Sequence, residues 1–211
     1  MSRRMGNLTL DTLDDLPRSC RSCVFWELSP DCSTSQPRSP GRSCAGDPGL
    51  DKEAWVSKTL LEWGSCGRVA YVDDMPAGFV TYAAPQHVPR ASEFPSGPAS
   101  ADAAVLMTAH VVPAFASTGL GRLLVQAAAH DLSKRGVRAL EVFGDARGEP
   151  GACVAPADFF RSLGFKTVRA HPHYPRLRME LRHLPGWGEG AGTIDAEVER
   201  WLASVTIVQR A

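Results

Sequence analysis

Two glycines stand where an apolar run turns into a helix. In VVPAFASTGLGRLLVQAAAHDL, residues 111–132, the run meets Pro113 and then a loop of small residues. Thr118-Gly119-Leu120-Gly121-Arg122 carries the chain into a long amphipathic stretch. A helix start exposes backbone N–H groups with no intrahelical partner and the positive end of the helix dipole. That combination is a ready anion site. Glycine at 119 and 121 keeps side chains out of the approach, so a pyrophosphate can reach the backbone. The same glycines also suit close packing, and Gly-x-Gly by itself decides for neither reading.

Cysteine supplies the other chemical signal. Cys20-x-x-Cys23, with Cys32 and Cys44 further on, offers four thiolates of a kind that suits zinc. The second pair lacks compact knuckle spacing and lies in a Ser/Pro-rich stretch, so small thiols without a metal are the expectation. Cys66 and Cys153 stand alone; Cys153 precedes the segment PADFF. His110 sits one residue before Val111, where it serves either as a base or as a core histidine. His130 falls on a polar helix face.

The elements that must position these residues are set by hydrophobic period. Leu120, Leu123, Leu124, Ala127, Ala128 and Leu132 share one helix face, and Gly136 marks its stop. DAAVLMTAHVV, before the glycines, is apolar enough for a central strand. DKEAWVSKTLLEWG reads as a helix with Trp55, Thr59/Leu60 and Trp63 on one face. GRVAYVDDMPAGFVTYAA reads as a hairpin turning at Asp73–Pro76. VRALEVFG is a strand, PADFFRSLGF a short helix, and KTVRAH and RLRMEL are closing strands. A further short strand is expected near Leu8–Leu10. Residues 84–101 form a long Pro/Ser loop, functional or disordered by its length. The order predicts a mixed α/β domain. Residues 1–50 form an N-terminal strand/helix segment with a Cys-containing flexible loop, 51–183 the core, and 184–211 a tail helix.

Bulk properties narrow the function. Among 211 residues, Lys+Arg and Asp+Glu are both 23, so the basic excess of a nucleic-acid binder is missing. No segment approaches the roughly 18 apolar residues of a membrane span, and MSRRMGNLTL has no signal-peptide run. A cytoplasmic protein with reduced thiols is expected.

Val111-Val112-Pro113 followed by Ala116-Ser117-Thr118-Gly119-Leu120-Gly121 resembles the Val-x-Pro, Gln/Arg-x-x-Gly-x-Gly/Ala motif of the GNAT superfamily of N-acetyltransferases. The resemblance runs over about residues 51–183. It implies a mixed, mostly antiparallel central sheet flanked by helices, and acetyl-CoA or a related acyl-CoA as co-substrate. It places the pyrophosphate on backbone N–H groups of Ser117, Thr118, Gly119, Leu120, Gly121 and Arg122, and the pantetheine arm beside Val111 and Val112. Ala116 departs from the usual Gln or Arg, which leaves mainly backbone contacts.

Leu140-Glu141-Val142 is similar to the Leu-Glu-Val of bacterial ribosomal-protein N-terminal acetyltransferases, where the glutamate is catalytic. Glu141 is accordingly the candidate base, against the alternative of a strand-edge carboxylate. The family's usual tyrosine acid falls at Phe160, which has no proton to give. Tyr174, in HPHYPRL beside His171 and His173, is the substitute candidate. The resemblance implies a small-molecule or peptide amine as acceptor; family habit and the apolar tail together suggest a homodimer, and the cysteine spacing leaves no metal expected. The alternatives are a non-catalytic acyl-CoA-binding or regulatory protein on the same fold and a structural interaction protein.

Overall fold

The computed structural model describes residues 2–29, 47–148 and 153–181. Cys32, Cys44 and the expected tail helix lie outside them. Seven strands form one sheet: β1 (Arg3–Asn7), β2 (Gly67–Val72), β3 (Met75–Ala83), β4 (Ala103–Val111), β5 (Ala139–Phe143), β6 (Lys166–Arg169) and β7 (Arg176–Glu180). Their spatial order is β1-β2-β3-β4-β5-β7-β6. Every neighbouring pair is antiparallel except β4 and β5, which run parallel. The helices are α1 (Arg18–Arg21), α2 (Pro48–Trp63), α3 (Leu120–Lys134) and α4 (Ala157–Ser162). No helix among the described residues is long and apolar enough to cross a membrane.

The first strand falls at Arg3–Asn7, earlier than the Leu8–Leu10 expected, and pairs with β2 from Arg3↔Val72 to Asn7↔Arg68. Leu8 is fully buried just past the strand, so its apolarity marks packing rather than strand position. The N-terminal segment thus supplies an edge of the main sheet. The β2–β3 hairpin turns on Asp73 and Asp74, both at positive φ (48° and 60°), as a tight primed turn requires.

Each sheet face has its own core. On one face α3 lays Leu120, Leu124, Ala128 and Leu132 against Leu106, Leu140 and Val142, with Phe160 of α4 beside them. On the other, Trp26 and Trp55 pack with Val105, Met107, Phe79 and Phe143. Asp47 caps α2 through the Gly49 N–H at 2.8 Å, and Gly64 ends it at φ 82°.

The long 84–101 loop belongs to this second core. Val88, Ala91 and Phe94 are buried, and the ring of Phe94 stacks on Trp26 and Phe143 at 5.2 and 4.7 Å. The Trp55 indole donates to the His87 carbonyl at 2.7 Å. A loop spaced with prolines and apolar residues folds as a packed covering; its length alone concealed that.

Candidate active site

β4 and β5 start side by side and then separate. Their register runs from Ala103↔Ala139 to Leu106↔Val142, and there the pairing ends. β4 continues to Val111, paired only with β3 among the described residues. A bulge falls at the same point: Tyr82 faces Leu106 and Thr81 faces Thr108, so Met107 is the extra residue. A bulge bends its strand and re-aims the residues beyond it. The β5-facing edge of Met107–Val111 therefore presents backbone groups with no strand opposite.

Beyond Val111, Pro113–Phe115 makes one 3-10 turn, and the chain enters α3 through an exposed loop. Ser117 and Gly119 both have positive φ, 62° and 81°. The Thr118 hydroxyl donates back to the Phe115 carbonyl at 2.7 Å. Gly119 is the N-cap residue and brings no capping side chain, so the N–H groups of Leu120, Gly121 and Arg122 have no partner within the helix. The two glycines prove different in kind. A Cβ on Gly119 would meet nothing within 4 Å, so its backbone angle is what calls for glycine. A Cβ on Gly121 would press on Phe159 at 3.3 Å and Val111 at 3.6 Å, which makes 121 a packing position.

A cavity of about 630 Å³ opens against the second half of β4. Thr108, Ala109 and His110 form one wall; Cys20, Cys23, Trp26, Glu27 and Lys52 come from the N-terminal segment and α2; Cys153–Pro156 closes a third side. His110 is half-buried with its ring 5.6 Å from Phe79, and burial holds its imidazole below the ordinary 6.5. At neutral pH it is an unprotonated base facing the cavity.

Lys52 and Glu27 form an ion pair in this wall, 4 % and 5 % exposed. The Lys52 ammonium also donates to the Cys23 carbonyl at 3.0 Å, and the other Glu27 oxygen accepts from the Trp26 N–H at 3.1 Å. Sequence reasoning missed this pair, yet a signal existed: Lys52 precedes Trp55 by three positions and so shares its apolar helix face. It also missed that Cys23 and Cys153, 130 residues apart, stand with sulfurs 3.2 Å from each other.

Glu141 does not line the cavity. It is fully buried, and its carboxylate accepts from the Ser100 hydroxyl at 2.7 Å, the Ser100 N–H at 3.0 Å, Arg178 at 3.1 Å and Arg176 at 3.3 Å. Tyr174 is likewise outside it. Its ring packs edge-on against Phe94 at 5.4 Å, and its hydroxyl meets Arg147 at 2.5 Å. Phe160 is wholly buried between Phe159 and Phe165. Among the described residues no group of three or more His, Cys, Asp or Glu is placed to hold a metal ion.

Residues 26–165 match the acetyltransferase (GNAT) family. The fold is similar to that of an N-acetyltransferase from Staphylococcus aureus Mu50, at 14 % identity over 86 % of this chain and 99 % of that one, with a TM-score of 0.55. It is similar also to the PaiA N-acetyltransferase of Thermoplasma acidophilum, solved in complex with coenzyme A, at 14 % identity over 85 % of this chain and 99 % of that one, with a TM-score of 0.51. No curated protein matches the chain.

Proposed function

Since the chain belongs to the GNAT acetyltransferase family, we propose that it transfers an acetyl group from acetyl-CoA to the amine of a small molecule or peptide. One observation carries the reading: the strands separate at Leu106↔Val142, and the open stretch of β4 has a glycine-started helix beyond its end and a cavity against its flank. The N–H groups from Ser117 to Arg122 suit a pyrophosphate. The bare edge of Met107–Val111 suits the amides of a pantetheine arm. Acetyl-CoA supplies the activated thioester.

The chain's own residues then have three tasks. The acceptor must be desolvated, which the cavity walls of Trp26, Phe79 and Val154 do. The amine must lose a proton, because an ammonium ion is no nucleophile. His110 is the group we assign to that step, directly or through one water, because its suppressed basicity keeps it free of a proton at neutral pH. The oxyanion needs donors, and the open β4 edge is placed to supply them; on collapse the C–S bond breaks, and the proton taken by His110 can pass, directly or through water, to the departing thiolate. Glu141, with its oxygens taken by Ser100, Arg176 and Arg178, is assigned a structural role. Tyr174 we assign to holding Arg147 and the loop after β5.

Calorimetric titration with acetyl-CoA and with free CoA, followed by turnover on an amine panel, tests the reading. Binding of both ligands with acetylation of an amine supports it. Binding without turnover on any amine points to a non-catalytic acyl-CoA-binding protein, and no binding of either ligand refutes it.

A further inference from the structure

Three of the cavity's lining residues are cysteines, and acyl transfer as proposed uses none of them. Cys23 and Cys153 have sulfurs 3.2 Å apart, against about 2.05 Å in a disulfide. Both backbones are anchored beside this contact. The Cys23 carbonyl is held by the Lys52 ammonium at 3.0 Å, and the Cys153 carbonyl by the Trp26 indole at 3.0 Å. The two thiols thus approach each other from fixed supports, and side-chain rotation has only about an ångström to close. Cys20 lines the same cavity, and among the described residues no sulfur contact of this kind is found for it; its polar neighbour is the Ser19 hydroxyl at 3.9 Å.

We propose that Cys23 and Cys153 form a redox-active dithiol that reduces a hydroperoxide and closes to a disulfide across the cavity wall. The Cys23 thiolate attacks the distal peroxide oxygen, the O–O bond breaks, and the departing alkoxide takes a proton to leave as an alcohol. Cys23 is then a sulfenic acid. The Cys153 sulfur displaces its hydroxyl, which leaves as water with the Cys153 proton, and the S–S bond forms. One hydroperoxide is reduced by two electrons for each dithiol oxidised. Roles divide by environment. The short contact with Cys153 lowers the Cys23 thiol, against burial; the Phe25 backbone N–H and Lys52 assist, and Glu27 opposes. Cys153 is raised by the same contact and by burial, so it keeps its proton until it resolves the sulfenic acid. Burial also raises Cys20. This chemistry stands whether or not the chain acetylates amines.

The test is hydrogen peroxide treatment of the full-length, reduced protein, followed by peptide mapping without reductant. The expected product is the Cys23–Cys153 cross-link, formed at an unchanged rate in Cys20→Ser and abolished in Cys23→Ser. In Cys153→Ser a sulfenic acid should persist on Cys23, trapped by dimedone. Should a serine variant fail to fold, iodoacetamide labelling of the native protein serves instead, with Cys23 expected to react at least tenfold faster than Cys20. A Cys20–Cys23 disulfide as the main product overturns the proposal. So does a Cys23–Cys153 link that forms equally well in denaturing urea, equal labelling of Cys20 and Cys23, or no reaction with peroxide.

Discussion

At the scale of single residues, we assign the base role to His110 and a structural one to Glu141, the reverse of what their sequence neighbourhoods suggest. The surroundings of the two side chains support that assignment. Glu141 lies in the paired part of β5 opposite Val105, where β7 brings two arginines across to it. His110 lies in the unpaired part of β4, where the cavity begins. His110→Gln should lower kcat/KM by about 10²–10³-fold with little change in acetyl-CoA affinity by calorimetry. Wild-type turnover should rise with pH through a value below 6.5 and stay level above it, and the variant should lack that rise. Glu141→Gln should instead leave the shape of the pH profile unchanged and destabilise the fold by about 1–3 kcal/mol, because Arg176 loses its buried partner while Arg178 keeps Asp102 and Glu180. Urea unfolding measures the second effect. A lost pH dependence in Glu141→Gln with normal stability would return the base role to the glutamate.

At the scale of elements, the helices and strands that the sequence makes plain are those whose pattern is local. The face of α3, the hairpin around Asp73–Asp74 and the alternation of β7 are each set by a few neighbouring residues. The packed loop at 84–101, the start of β1 and the Met107 bulge depend on partners far along the chain, and periodicity carries no trace of them. The Gly-x-Gly signal falls between these cases. Its location was legible, but only the structure separates a backbone-angle glycine from a packing glycine. Gly119→Val is therefore the sharper probe of the pyrophosphate site. A branched side chain at φ 81° costs about 1–2 kcal/mol, yet its Cβ would meet nothing within 4 Å. CoA affinity should fall about tenfold with the thermal midpoint only slightly lower. Gly121→Asp would strike Phe159 and so confound binding with folding.

At the scale of the whole molecule, the N-terminal segment is tied to the core through charge. Lys52→Met strands the Glu27 carboxylate in a buried wall and should destabilise by about 3–5 kcal/mol, measured by denaturant unfolding. The double change Lys52→Met with Glu27→Gln should recover most of that loss, since no uncompensated charge remains. Acid should also weaken the fold through His110. Its folded-state basicity is suppressed, so the unfolded chain takes up the proton first. The stability this contributes is complete above 6.5 and is lost as pH falls below it; His110→Gln should remove that part of the acid sensitivity. The gap between β4 and β5 has a consequence of another order. A bare sheet edge invites pairing with another extended chain, and this one runs along a cavity. A ligand lying there would complete the sheet as a guest strand. Its arrival should then be readable by hydrogen exchange, as slowed amide exchange in Met107–Val111 while Ala103–Leu106, already paired on both sides, stays as it was.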